Sequence, residues 1–173
     1  MTQSNAQTIE PTQFQEQAMA QYLTFCLAGE EYGINILKVQ EIKGWSEVTP
    51  MPNTPDFILG VINLRGTVVP IVDLRTHFGM PAQPPGPTTV VIVVRTRDTQ
   101  DTQRTMGIVV DAVSEVRNIA ESDVQPPPPI EESGGRRAVA GLAAQEEHMI
   151  IILDIDDLMI NGVLRQMEQD LPS

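Results

Sequence analysis

The chain has 173 residues, with 23 acidic against 11 basic side chains and a net charge of −12 at neutral pH. That is enough chain for one ordinary core but little for two independent ones. The charge repels phosphate backbones and anionic lipid, and aromatics at 4% are too scarce for base-stacking platforms, so nucleic acid is excluded as a partner. Cys26 is the single cysteine, which leaves no internal disulfide and no thiolate metal cluster. The N-terminus lacks the basic start and apolar run of a secretory signal. The longest apolar runs are about five residues, against the roughly 20 needed to cross a bilayer. Direct membrane insertion is therefore not expected, and a cytoplasmic location follows by exclusion.

Residues 1–18 read as a flexible polar tail rich in Gln, Thr and Ser. From Gln21 the pattern changes: Leu23, Phe25 and Leu27 alternate with Tyr22, Thr24 and Cys26, a period of two that predicts a strand. In EEYGINILKVQEI, Ile36, Val39 and Ile42 recur every third residue, which fits a short helix or a helical turn leading into another strand. GVINLRGTVVPIVDL carries the clearest local signal. Two apolar runs flank Arg65-Gly66, and glycine tolerates the positive φ of a tight turn, so a β-hairpin with Arg65 at its tip is predicted. Pro70 cannot donate a ladder hydrogen bond, so its strand is expected at an edge or at a bulge. Asp73 is placed to cap the segment LRTHF.

Residues 80–88, MPAQPPGPT, predict an extended connection, followed by strands TVVIVV and MGIVVD around a polar loop, RTRDTQDTQRT. QPPPPIEESGG is a second extended connection, its prolines favouring polyproline II geometry. Strands at Arg137–Ala143 and His148–Leu153 and a helix through Met167 complete the chain. Short strands with turn signals between them favour small barrels or a sandwich.

The chain also repeats itself. YGINILKVQEI (32–42) lies over MGIVVDAVSEV (106–116), matching Gly33 with Gly107, Val39 with Val113 and Glu41 with Glu115. GVINLRGTVVPIVDL (60–74) lies over GLAAQEEHMIIILDI (141–155), matching Gly60 with Gly141, Ile71 with Ile152 and Asp73 with Asp154. Two matches in one order at similar offsets predict a duplicated β unit. Units of that size must pack closely, and a groove between them is a natural binding place.

No catalytic pattern appears. His77 and His148 stand without carboxylate or cysteine neighbours at ligand spacing, and no GxGxxG, P-loop or GxSxG occurs. No cofactor is expected. Asp154, Asp156 and Asp157 could hold a cation, but their place before a helix suits capping better. Cys26, on a face of mixed polarity, reads as a small core residue. Arg65 is either a solvated turn residue or a rigidly presented fork for a partner's carboxylates and carbonyls, with Val39 and Glu41 as neighbours that could assist.

EEYGINILKVQEI, then TPMPNTPDFILGVINLRGTVVPIVDLR, TVVIVV and GIVVDAVSEV in this order, strongly resemble the CheW family of bacterial chemotaxis coupling proteins, from Gln21 to Leu158. The resemblance implies a domain at 19–160 of two packed five-stranded SH3-like barrels with short helices, followed by a C-terminal helix or tail at 161–173. It implies a non-enzymatic adaptor that joins the cytoplasmic tip of transmembrane chemoreceptors to a CheA-type histidine kinase. The receptor surface would include Val39, Glu41, Gly60, Asn63 and Arg65, in a groove between the barrels. The kinase's regulatory domain would meet the second barrel at Val90 and Val91. Relatives carry a basic residue and an aromatic around the proline segment that helps close kinase–adaptor rings. Here that stretch has Gln125 and Ile130, so the resemblance does not carry that ring contact over. A CheW-like adaptor of a non-flagellar pathway, such as pilus motility, would present the same surface. With the sequence ending at Ser173, a fused receiver domain is not expected.

Overall fold

A computed structural model describes residues 18–128 and 138–164. Most of the polar tail, Ile130, Arg137 and residues 165–167 of the expected helix lie outside the described residues.

Strand β1 (Met19–Leu27) turns through Ala28 and Gly29, both at positive φ, into β2 (Glu30–Asn35). Asn35 caps one 3₁₀ turn, Ile36–Lys38, by accepting the Leu37 N–H at 2.9 Å, and the chain enters β3 (Val39–Gly44). The threefold recurrence of apolar residues is therefore a helical turn leading into a strand. β4 (Ile58–Leu64) and β5 (Thr67–Asp73) form the predicted hairpin. Asp73 caps helix α1 (Leu74–His77), accepting the Arg75 N–H at 3.1 Å. The extended strap then leads to β6 (Val90–Arg97), β7 (Gln103–Val110) and β8 (Ala112–Ala120). A two-residue β9 (Val124–Gln125), the hairpin β10 (Val139–Gln145) and β11 (His148–Leu153), and α2 (Ile155–Asp157) complete the order, α2 continuing as a wider π-type coil over Leu158–Leu164.

Two readings change. RTRDTQDTQRT is mostly strand, because β6 and β7 pair out to Arg97 and Gln103. The tight turn between them is held by Asp98, which accepts from Arg104 Nε (2.8 Å) and from the Gln100 and Thr102 N–H groups (both 2.9 Å). β5 is not an edge strand, for it lies between β7 and β4, and no register shift falls at Pro70. Pro70 is tolerated because Val61 opposite it turns its own N–H and C=O to Thr49, at 2.9 Å each, so the missing proline donor faces β7, and β7 pairs only from Ile71 onward.

The strands form a six-stranded sheet, β8-β1-β2-β11-β10-β9, and a five-stranded sheet, β3-β6-β7-β5-β4. Each wraps around its own small core: Tyr22, Ile119, Ala143, Ile150 and Ile152 in one, Leu64, Val69, Ile71, Val91 and Val93 in the other. A larger core joins the two barrels, with Phe25, Leu27 and Ile34 from one sheet against Ile92, Val94 and Ile108 from the other. Leu23, Phe25 and Leu27 face that shared core, while Tyr22 on the opposite face fills the barrel interior. β1 is thus covered on both faces.

The pairing displays the duplication. Ile71 pairs with Gly107 and Ile152 with Gly33, the partners that the sequence match makes equivalent. A Cβ on Gly107 would lie 2.7 Å from Ile71 Cδ1, and one on Gly33 3.2 Å from Ile152 Cδ1, so each glycine makes room for the isoleucine of its parallel neighbour. Asp73 N–H meets Phe57 O and Asp154 N–H meets Ala138 O, both at 2.7 Å. The barrels are nevertheless not successive halves of the sequence. β1, β2 and β8–β11 build one, and β3–β7 the other, so each repeat sends strands into both.

Two polar clamps tie the barrels at matching corners. Arg75 Nε and Nη2 donate to Asp111 at 2.9 and 2.7 Å, and Asp111 also accepts the Ala28 N–H at 2.9 Å. At the other corner Lys38 Nζ donates to Asp156 at 2.7 Å, and Asp156 accepts the Arg97 N–H at 2.9 Å. The charges are reversed: the helix supplies the cation in one clamp and the carboxylate in the other.

Candidate functional site

The hairpin β4–β5 and strand β3 bring most of the expected receptor residues together. Arg65 and Gly66 have φ of 51° and 88°, the two positive values that a tight type I′ turn requires. Asn63 Oδ1 accepts the Gly66 N–H at 2.7 Å and holds the turn closed. Arg65 so presented stays 66% exposed at its side chain, and its Nη2 donates to Glu41 Oε1 at 3.0 Å. Glu41, 28% exposed, reaches Arg65 from β3 on the far edge of the same sheet. The pair spans the two ends of the strand order. A charged pair this accessible gains little from its own attraction, since solvent screens it, and both groups keep donors and acceptors to offer.

The other members have different surroundings. Val39 is half-buried against the shared core at the start of β3. Gly60 is buried, with φ of 150°, and a Cβ there would collide with the Thr49 carbonyl. It permits the close Thr49–Val61 bridge that shapes the base of the hairpin, and it offers no side chain to a partner. Asn63 likewise spends its carbonyl on the turn. Sequence pattern therefore grouped residues that the fold brings together, but it did not separate exposed side chains from those that shape the turn.

β6 lies beside β3 in the five-stranded sheet, with Val91 opposite Lys43 and Val90 opposite Gly44. Val90 and Val91 thus share a sheet with Glu41 instead of belonging to a second barrel, because the chain crosses back after the strap. Val91 is 4% exposed and packs in that barrel's core, so its side chain faces away from any partner; Val90 is the half-buried member. The sequence reading also missed exposed apolar side chains on and beside this sheet: Leu37 (83%), Val68 (67%) and Ile42 (45%). A signal for Ile42 was present, since it ends the threefold run yet sits one residue past the charged Glu41.

Asp154 accepts the Asp157 N–H at 3.0 Å as the cap of α2, and Asp156 is held by Lys38 and the Arg97 N–H. Their oxygens serve the fold in separate places. Among the described residues no group of three or more His, Cys, Asp or Glu is disposed to hold a metal ion. His77 is half-buried, edge-on to Phe57 at 4.9 Å, and burial lowers its pKa below 6.5. Cys26 is half-buried, with its Sγ 3.5 Å from Ser114 Oγ. Among the described residues no helix is long and apolar enough to cross a membrane.

Comparison with known proteins agrees with this architecture. The sequence model of the CheW-like domain family matches residues 21–161. A chemotaxis protein CheW from Klebsiella aerogenes is 45% identical over 139 residues, covering 80% of this chain and 81% of that protein. A CheW from Bacillus subtilis is 33% identical over 103 residues, covering 60% and 63%. The crystal structure of the scaffolding protein TtCheW from Thermoanaerobacter tengcongensis superposes with a TM-score of 0.73 at 35% identity, covering 84% of this chain and 96% of that one. With a duplicated β fold, a matched family domain over most of its length and close relatives on both counts, the chain belongs to the CheW family.

Proposed function

We propose that this chain is a chemotaxis adaptor that couples chemoreceptors to a CheA-type histidine kinase in the cytoplasm. CheW family proteins are scaffolds and not enzymes, and the work of this one is to hold two partners at once. The receptor's cytoplasmic helical tip docks at the Arg65 end of the five-stranded barrel. Arg65 and Glu41 supply the polar contacts and Val39 an apolar one, while Gly60 and Asn63 fix the turn. The kinase's regulatory domain meets the neighbouring strand β6 at Val90, with Val91 supporting it from the core. The observation that carries this reading is the Arg65–Glu41 pair, an exposed guanidinium fixed by a tight turn and held by a partly exposed acid. Which motility apparatus responds is a property of the kinase's downstream partner, not of this surface.

Co-sedimentation of the full chain with a receptor cytoplasmic fragment and a CheA-type kinase tests it, with kinase activity read in parallel. Arg65→Glu should abolish receptor capture and receptor-dependent kinase stimulation while kinase capture persists. Receptor capture undiminished by Arg65→Glu would remove Arg65 from the site.

A further inference from the structure

A cavity of about 460 Å³ opens off the core of the five-stranded barrel, and none of the candidate docking residues lines it. Its apolar wall is Trp45, Val48, Leu59 and Val109, half-buried side chains packed against that core. The strap closes one flank with Pro84 and Pro85. Its size falls in the usual range for small-molecule sites, roughly 300–1,000 Å³, and barrel mouths are favoured places for them.

The polar end decides what would fit. Asp73, Asp111 and Arg75 line it, two carboxylates against one guanidinium. Arg75 is committed: Nε and Nη2 go to Asp111, and Nη1 donates to Pro81 O at 3.2 Å. Hydrogen bonds from Arg75 hold Asp111 below the usual carboxylate range, so it stays ionised. Asp73 accepts from the Arg75 N–H and from Thr76 Oγ1, which leaves lone pairs on both oxygens. One negative charge is therefore uncompensated, in a chain that carries −12 overall. Trp45 adds an aromatic face, which attracts cations and repels anions.

We propose that this cavity binds a small organic ammonium compound, its apolar body against Trp45 and Leu59 and its amine toward Asp73 and Asp111. Such a site gives the adaptor a soluble input of its own, separate from the Arg65 surface.

Trp45 is the chain's single tryptophan, so its emission reports directly on the cavity. The full chain is titrated with 2-phenylethylamine and, in parallel, with 3-phenylpropionate, exciting tryptophan alone. The amine should produce a saturable change in Trp45 emission and shift the Trp45 indole N–H resonance, and the carboxylate should do neither. Leu59→Lys, which places a second ammonium in the cavity, should weaken the amine by about tenfold or more. Should that variant lower the melting temperature, Val48→Lys makes the same test at a second wall position. No saturable change, an equal response to the carboxylate, or unaltered affinity in a folded lysine variant would overturn the proposal. Arg65→Glu should leave amine binding unchanged, which separates this site from the receptor surface.

Discussion

Side chains in one small neighbourhood have unlike duties, and substitution should tell them apart. Arg65→Glu removes a solvent-facing side chain whose pairing contributes little, so the unfolding free energy should change by less than about 0.5 kcal/mol while receptor capture is lost. Gly60→Ala should behave the other way. It forces a Cβ onto the Thr49 carbonyl at a φ that side chains avoid, so a loss of roughly 2 kcal/mol or more is expected by urea denaturation, with weakened capture as a consequence of the distorted hairpin. Asn63→Ala lies between: one hydrogen bond to Gly66 is lost, about 1 kcal/mol, and the turn that aims Arg65 loosens. A Gly60→Ala protein of unchanged stability would contradict the close approach at Thr49.

At the scale of strands and helices, the clamps carry a comparison that the sequence itself sets up. Asp111→Ala deprives Arg75, only 11% exposed, of both of its carboxylate hydrogen bonds, and frees the Ala28 N–H; a loss of about 2–3 kcal/mol is expected. Asp156→Ala releases Lys38, 34% exposed, which water can solvate, so about 1 kcal/mol is expected. Denaturant midpoints measured side by side check the order, and equal losses would refute it. Much of this scale was legible beforehand. The hairpin at Arg65-Gly66 and the cap at Asp73 follow from residue chemistry within a few positions, and the aligned glycines and isoleucines announced the duplication. Strand β8 and the full reach of β6 and β7 were not legible, because AVSEVRNIA and RTRDTQDTQRT are held by neighbours distant in sequence: Val116 and Arg117 pair with β1, and Asp98 ties its own turn. For the same reason pattern could group Gly60, Asn63 and Arg65 but not assign their separate roles, and could not see that Val91 turns inward.

For the molecule as a whole, acid should be destabilising. Burial holds the His77 pKa below its ordinary value of 6.5, so below that pH the unfolded chain binds a proton that the folded chain refuses. Stability that is complete above the unfolded pKa is lost as pH falls toward the folded one. Asp111 and Asp98, whose folded pKa values are also depressed, add losses in the same direction at lower pH as they take up protons. His77→Gln should flatten the upper part of the stability profile and leave the lower part, and a profile unchanged between pH 7 and 5 would exclude His77 as its source.

The crossing of strands between the barrels bears on how the molecule can be divided. A cut in the exposed strap between Pro81 and Pro87 would yield one piece carrying β1–β5 and another carrying β6–β11, and neither contains a whole sheet. Each piece lacks the neighbours its longest apolar strands need, so the nicked protein should stay together through size-exclusion chromatography, and separately expressed pieces should be soluble chiefly when mixed. The two barrels then form or dissolve as a single cooperative unit. A partner gripping one of them steadies the other through the core they share.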